Sequence, residues 1–295
     1  MLLSAIDIGS NAVRLLFSNV KEINGAVVAE KLSLVRIPLR LGEDVFATGR
    51  ISDEKTKKLV KTLQAFLLLI EVSGSVAMRA CATAAMREAD NAAAVILAVK
   101  DATGIGIELI DGIEEARLIS SVDGFLQGNN PAYIAFLDVG GGSSEITLMK
   151  GRTLIKSHSF KIGTVRMLNN AVDASSWRDL KQTLQHHAQI NGEIMLVGSG
   201  GNINKLVKLY GNTREKILTY KKLVAGIREL ESMTFDDRIR KLGLRPDRAD
   251  VIAPAGHIFR FVMAELGLQC VYVPKIGLAD GMVSQLYKER LGIHM

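Results

Sequence analysis

The sequence predicts an α/β protein of two similar domains that face each other across a central cleft. The main observation is an internal repeat: Ala5–Val20 and Phe136–Gly151 both read as a buried strand, a small polar turn after Asp-x-Gly, and a second strand. Their aspartates, Asp7 and Asp138, lie 131 residues apart, close to half of the 295 residues. A duplicated unit with the order β-β-β-α-β-α-β accounts for this spacing. The length independently favours about two domains.

The first half alternates strands and helices in the order of this unit. Apolar runs separated by turn residues predict strands at 2–8, 12–20, 26–37, 75–81 and 107–110, and helices at 52–72, 91–102 and 112–125. Leu59, Leu63, Phe66 and Ile70 recur at helical spacing in the first helix. Ser52 is a suitable residue for its N-cap.

The second half repeats the order and adds helices before its last strand. The predicted strands are 133–139, 144–149, 152–160, 193–197 and 270–273, and the predicted helices are 175–188, 203–210, 220–232, 247–266 and 278–291. We therefore place the two domains at 1–125 and 126–295.

Composition excludes several classes of protein. With 48% hydrophobic and 23% charged residues, 27 Gly and only 5 Pro, the chain is neither disordered nor collagen-like. The net charge of +6 suits an anionic partner without identifying one. Two cysteines, Cys81 and Cys270, show no metal-binding spacing and are expected to be reduced. The amino terminus lacks a basic region ahead of its apolar residues, so we expect a cytoplasmic protein with no signal peptide and no membrane span.

The turns after the two aspartates are suited to phosphate. Successive Gly and Ser residues expose several backbone N–H groups on one side, and no large side chain blocks an approaching anion. A third loop with Gly and Ser, at 198–202, follows a strand and precedes a helix, where the N–H groups also favour an anion. The predicted phosphate-binding residues in these turns are Gly9, Ser10, Asn11, Gly140, Gly141, Gly142, Ser143, Ser144, Gly198, Ser199, Gly200 and Gly201.

The aspartates themselves predict a metal. Asp7 and Asp138 beside bound phosphate would repel it unless a divalent cation lies between them, and Mg²⁺ accepts one or two carboxylates together with waters and phosphate oxygens. Such turns also occur in ordinary hairpins without function, so the argument depends on the repeat and the third loop together. The sequence contains neither a P-loop nor a G-x-G-x-x-G motif.

Five stretches resemble the exopolyphosphatase / guanosine pentaphosphate phosphatase family of the actin-like ATPase superfamily: AIDIGSNAVRLL, RLGEDVFATGRIS, ATAAMREADN, IDGIEEARLI and LDVGGGSSEI. SFKIGTVRML, GSGGN and RADVIAPAG also fit. The resemblance spans almost the whole chain. It implies two ribonuclease-H-like domains, without the carboxy-terminal helical domains of longer members.

The resemblance also implies a reaction, the Mg²⁺-dependent hydrolysis of a terminal phosphoryl group without a covalent intermediate. The family's catalytic glutamate falls on Glu115, which we expect to orient and deprotonate water. Its neighbour Glu114, in the first turn of the same helix, is also counted among the catalytic residues in a supporting role, and an acid there would equally suit the helix dipole. Asp138 is expected to hold the metal and contact the nucleophilic water, and Arg87 to stabilise charge on the transferred group.

One loop departs from the family pattern. The usual Gly-x-Arg-Glu-Gly reads here Gly277-Leu278-Ala279-Asp280-Gly281, so a cationic donor is missing and an acid is shortened. A narrower substrate range is the hypothesis that follows. The five histidines show no ligand spacing.

Three functional hypotheses stay open. The first is a hydrolase of inorganic polyphosphate or of guanosine pentaphosphate, and we favour polyphosphate because no guanine-reading pocket is visible. The second is a kinase of the same superfamily, and the third is a non-catalytic sensor of polyphosphate or an alarmone. No interleaved basic and aromatic residues predict a nucleic-acid groove. A homodimer is compatible with the sequence.

Overall fold

Two hydrophobic cores form among the described residues, one around each copy of the repeated strand–turn–strand segment. The computed structural model describes residues 1–23, 26–122, 131–151, 153–188, 190 and 192–291. Contacts divide the chain into a first unit, Met1–Gln127 with Gly277–Met295, and a second unit, Gly128–Ile276.

The first unit contains five strands and six helices within the part of the chain that the structure describes. Its strands are β1 (Leu2–Ile8), β2 (Val13–Ile23), β3 (Ala26–Ile37), β4 (Ala77–Ala82) and β5 (Glu108–Leu109). Its helices are α1 (Leu41–Thr48), α2 (Asp53–Ser73), α3 (Ala84–Glu88), α4 (Ala92–Thr103), α5 (Gly112–Ser120) and, from the end of the chain, α13 (Leu278–Arg290).

The strands of the first unit form one sheet in the order β3-β2-β1-β4-β5. β1 and β2 pair antiparallel, as do β2 and β3, whereas β4 runs parallel to β1. Leu59, Leu63 and Phe66 of α2 are buried in its core, as their helical spacing predicts, and the Ser52 hydroxyl caps the helix by accepting a hydrogen bond from the N–H of Lys55.

The second unit repeats this arrangement with insertions. Its strands are β6 (Tyr133–Val139), β7 (Ser144–Lys150), β8 (Thr153–Phe160), β9 (Ile194–Ser199), β10 (Ile217–Thr219) and β11 (Cys270–Tyr272). Its helices are α6 (Thr164–Leu168), α7 (Ala174–Ala188), α8 (Gly201–Tyr210), α9 (Tyr220–Ser232), α10 (Phe235–Leu242), α11 (Pro246–Ala249) and α12 (Ile252–Glu265).

The second sheet has the order β10-β11-β9-β6-β7-β8. An antiparallel three-stranded segment is again followed by parallel strands, since β9 pairs with β6 and β11 pairs with β9 in parallel. The predicted duplication of strand order is therefore present in the structure.

Several short elements were not predicted. The segments around residue 40 and after residue 162 contain the helices α1 and α6, and the predicted helix at 247–266 is two helices, α11 and α12. α10 and β10 were also missed. The predicted helix at 112–125 ends at Ser120, and its last three predicted residues lie outside the described residues.

The end of the chain groups with the first unit, whereas the sequence predicted one continuous domain over 126–295. α13 packs against β1, β2 and α5. Gly281 permits this contact, because a Cβ there would lie 2.0 Å from the carbonyl oxygen of Leu118. Apolar spacing identifies the helix but not the sheet on which it packs.

Among the described helices, none combines the length and the apolar character that a bilayer crossing requires.

Candidate active site

The first Asp-x-Gly turn connects β1 and β2. Asp7 at the end of β1 is buried and lies opposite Arg14 of β2 in the antiparallel register. The two side chains form a short ion pair. The turn closes with a hydrogen bond of 3.1 Å from the N–H of Gly9 to the carbonyl of Ala12. In this hairpin the predicted metal ligand therefore has a cation as its cross-strand neighbour.

The second Asp-x-Gly turn has the same backbone form and different chemistry. Asp138 at the end of β6 lies opposite Glu145 of β7. A carboxylate oxygen of Asp138 and one of Glu145 lie within 4.8 Å of each other. Ser159 donates a hydrogen bond of 2.7 Å to Glu145, which is only 2% exposed. Two carboxylates in one hairpin provide the hard oxygen ligands that Mg²⁺ prefers, so the residues present fit this metal.

The third loop lies beside Asp138 in the same unit. The Ser199 hydroxyl donates a short hydrogen bond to Asp138 Oδ1. Gly200 precedes α8 with φ +99°, and a Cβ there would lie 3.3 Å from the same carboxylate oxygen. A Cβ on Gly201 would lie 2.8 Å from Nη2 of Arg248. The second and third predicted loops thus meet at one carboxylate, with a guanidinium at the start of the adjoining helix.

The paired glutamates of α5 have different surroundings. Asp111 caps the helix by accepting a hydrogen bond of 2.7 Å from the N–H of Glu114. Arg117 donates two hydrogen bonds, of 2.7 and 2.8 Å, to the Glu114 carboxylate. This contact raises the pKa of Arg117. Glu115, on the buried side of the helix, is 7% exposed. Glu114 is therefore committed to a fork with arginine, whereas Glu115 is the buried acid that the resemblance assigns to catalysis.

Arg87, expected to bind phosphate, lies in the last turn of α3 and is half-buried. Its Nη1 donates a hydrogen bond of 2.7 Å to the carbonyl of Ile110. This bond fixes the arginine beside the residues that precede α5, and it leaves part of the guanidinium's donor set for other acceptors.

In the Gly277–Gly281 loop, which departs from the family pattern, the acid Asp280 makes structural contacts within the first unit. Asp280 accepts a hydrogen bond of 2.9 Å from the N–H of Gly277, which caps α13, and it pairs with Lys31 of β3 at 2.8 Å. Burial raises the pKa of Asp280. Ala279 is buried. The shortened acid thus holds the helix to the sheet of the first unit.

Sequence reasoning missed Glu145 and Arg166 as site residues. Glu145 could have been found from hairpin register, because a two-stranded turn centred on Gly140–Ser143 places it opposite Asp138. Arg166 Nε donates a hydrogen bond of 2.8 Å to the carbonyl of Gly142 in the second turn, although the two residues are far apart in sequence. Strand register could therefore have identified Glu145, whereas the contact of Arg166 with the turn depends on tertiary structure.

The model of the Ppx/GppA phosphatase family matches residues 24–290. The chain is 25% identical over 307 residues to exopolyphosphatase 1 of Mycobacterium tuberculosis, covering 96% of this chain and 87% of that protein. It is also 25% identical over 300 residues to the guanosine-5'-triphosphate,3'-diphosphate pyrophosphatase of Photobacterium profundum, covering 97% of this chain and 59% of that protein.

Among solved structures, an exopolyphosphatase from Cytophaga hutchinsonii superposes with a TM-score of 0.83 at 21% identity, covering 100% of this chain and 99% of that one. At this identity the likeness shows the fold. It confirms the predicted two-domain α/β class, and the family match confirms the resemblance inferred from the motifs.

Proposed function

The chain belongs to the Ppx/GppA phosphatase family and is a hydrolase of phosphoric anhydrides, and from that premise we propose that it releases terminal phosphate from inorganic polyphosphate with Mg²⁺. The observation that carries the proposal is the hairpin of the second unit, where Asp138 and Glu145 lie beside the Gly140–Ser144 turn and the Ser199–Gly201 loop. Acidic metal ligands next to two groups of backbone N–H donors suit a bound chain of phosphates.

The proposal gives each group a task. Asp138 and Glu145 would hold the metal, and Asp7, already paired with Arg14, would be a weaker ligand. Bound Mg²⁺ would neutralise charge on the phosphate oxygens. The N–H groups of the glycine turns and Arg87 would stabilise the remaining charge of the transferred group.

Glu115 would accept a proton from the attacking water at its carboxylate and hold that water in line with the phosphorus atom. Because phosphoryl transfer depends mainly on positioning and charge stabilisation, no covalent intermediate is needed. Glu114 would support this helix start through its fork with Arg117.

The deciding experiment measures Mg²⁺-dependent phosphate release from short polyphosphate, long polyphosphate and guanosine pentaphosphate in parallel. We expect polyphosphate to be hydrolysed fastest and EDTA to stop the reaction. Glu115→Gln should reduce kcat by about 1,000-fold, whereas Glu71→Gln, on an exposed part of α2, serves as the matched control.

The alternatives correspond to other outcomes of this experiment. Faster hydrolysis of guanosine pentaphosphate than of polyphosphate would indicate the activity for which the Photobacterium relative is named. Binding of polyphosphate without turnover would favour the sensor, which the changed Gly277–Gly281 loop motivates. Phosphate transfer to an acceptor other than water would identify a kinase.

The proposal also keeps the remaining predictions about partners and location. We expect a cytoplasmic enzyme without a nucleic-acid partner, and a homodimer that sedimentation would detect. The domain boundary at residues 125 and 126 is likewise retained as a proposal, with Gly277–Met295 returning to the first unit, and limited proteolysis would test that boundary.

A further inference from the structure

Donors at the start of α6 form hydrogen bonds with the carbonyl groups of the glycine turn in the second unit. The N–H of Thr164 donates to the carbonyl of Gly140 at 3.0 Å, and the N–H groups of Val165 and Arg166 donate to the carbonyl of Gly141 at 2.9 and 3.1 Å. Arg166 Nε donates to the carbonyl of Gly142 at 2.8 Å. Three successive carbonyls of the turn are therefore held by one short segment, residues 163–166, which we call the backing segment.

These bonds fix the direction of the turn's N–H groups. In a trans peptide the carbonyl of one residue and the N–H of the next point in opposite directions. Because the carbonyls of residues 140–142 point toward the backing segment, the N–H groups of residues 141–143 point away from it. Three consecutive N–H groups on one side form the concave donor set that binds an anion.

The backing segment fits the turn closely. A Cβ on Gly163 would lie 2.4 Å from both the carbonyl oxygen of Gly141 and the carbonyl carbon of Gly142, which are backbone atoms. Arg166 is only 7% exposed although it carries a charge. The contact therefore combines a steric requirement for glycine with a buried side-chain donor.

The turn of the first unit is supported in the same way, but by two backbone hydrogen bonds. The N–H of Arg40 donates to the carbonyl of Asn11 at 3.1 Å, and the N–H of Gly42 donates to the carbonyl of Ser10 at 2.8 Å. A Cβ on Gly42 would lie 3.0 Å from the Ser10 Cβ. Both Asp-x-Gly turns are thus backed by the start of a short helix that the sequence did not predict.

We propose that the backing segment holds the Gly140–Gly142 turn in its anion-binding form, and that Arg166 is a positioning residue for phosphoryl transfer. The proposal rests on the function proposed above. In this proposal Arg166 acts on the substrate through the carbonyl of Gly142, so removing its Nε donor should misplace the turn.

A matched pair of variants tests the side-chain bond. Arg166→Gln places an amide nitrogen at the position of Nε, whereas Arg166→Met has similar length and no donor. We expect Arg166→Met to lower kcat about 100-fold with less than about a threefold change in KM. Arg166→Gln should retain at least about ten times the kcat of Arg166→Met.

Hydrogen exchange supplies a readout that does not depend on activity. Arg166→Met should accelerate amide exchange in a peptide covering residues 136–149, while exchange over β1 and β2 stays at the wild-type rate. Unchanged exchange at 136–149 would overturn the proposal, whatever the activity. Faster exchange with a wild-type enzyme that hydrolyses nothing would instead refute the proposed function and leave the turn's support established.

A second pair applies if Arg166→Met does not fold. Gly163→Ala adds a Cβ against the backbone of the turn, whereas Gly106→Ala adds the same atom where nothing lies within 4 Å. Gly163→Ala should accelerate exchange at 136–149 and lower kcat, and Gly106→Ala should do neither. Equal behaviour of the two alanine variants would overturn the proposal.

Discussion

The two Asp-x-Gly hairpins share the same strand pairing, but the residue opposite the aspartate is basic in the first hairpin and acidic in the second. Asp7 faces Arg14 in the first unit, whereas Asp138 faces Glu145 in the second. An aspartate paired with arginine has its charge compensated, whereas two neighbouring carboxylates repel each other, and a bound cation would relieve that repulsion. Duplication of a fold therefore did not duplicate its chemistry, and we infer that the second hairpin is the main metal-binding half.

The largest expected effect concerns the aspartates themselves. Asp138→Asn should lower kcat/KM by about 1,000-fold, roughly 4 kcal/mol, and remove the stabilisation of the protein by Mg²⁺. Asp7→Asn should lower kcat/KM only about tenfold and keep the response to Mg²⁺. Phosphate release and thermal melts with and without Mg²⁺ measure both quantities. Asp101→Asn, on an exposed part of α4, is the control, and a metal response lost only in Asp7→Asn would reverse the comparison.

The units also differ in histidine content, since four of the five histidines of the chain lie in the second unit, at positions 158, 186, 187 and 257. His187 in α7 is 4% exposed, its ring centroid lies 6.4 Å from that of His158, and burial lowers the pKa of His187 to about 4. Lys156 and His186 also disfavour its charged form.

Acid should therefore destabilise the second unit through His187. An unfolded histidine binds a proton near pH 6.5, whereas the folded one does so near pH 4, so stability falls as the pH decreases through this window. The loss should approach about 3 kcal/mol. Urea unfolding of His187→Leu between pH 7 and pH 4 should show a shallower decline than the wild type. His186→Leu, exposed on the same helix, should decline like the wild type, and identical slopes for both variants would contradict this account.

A third variant converts one hairpin into the other. Arg14→Glu places a second acid opposite Asp7, whose buried carboxylate then loses its cation. We expect a loss of about 2 kcal/mol in stability without metal, because the arginine is partly exposed and its contribution is screened. Added Mg²⁺ should restore more stability than it adds to the wild type. A variant that melts like the wild type in EDTA would show that the first hairpin does not need its arginine.

The fold was predictable where local patterns decide the structure. The β1–β2 and β6–β7 hairpins, with Asp-x-Gly before each turn, follow from apolar runs and turn residues. The helix start of α5 follows from Asp111 and the acids behind it.

What could not be predicted depends on contacts between distant segments. α6 is five residues long and too short for a periodic signal, yet it holds the second glycine turn. The packing of α13 on the first unit depends on Gly281 meeting the carbonyl of Leu118. The ion pair of Asp7 was also hidden, since register places Arg14 opposite it but does not decide whether that arginine faces phosphate or the carboxylate.

The smallest expected effect separates the two glutamates of the first unit. If arginine pairing marks acids that support structure, then Glu114, held in a fork by Arg117, should resemble Asp7 in its modest contribution. Glu114→Gln keeps the side-chain length and removes one charge, so it should lower kcat no more than about fivefold and stability by about 0.5 kcal/mol. Parallel assays of Glu114→Gln and Glu115→Gln measure the difference. Equal losses in kcat would show that both carboxylates act on the reacting atoms, and cation pairing would then no longer distinguish supporting acids from catalytic ones.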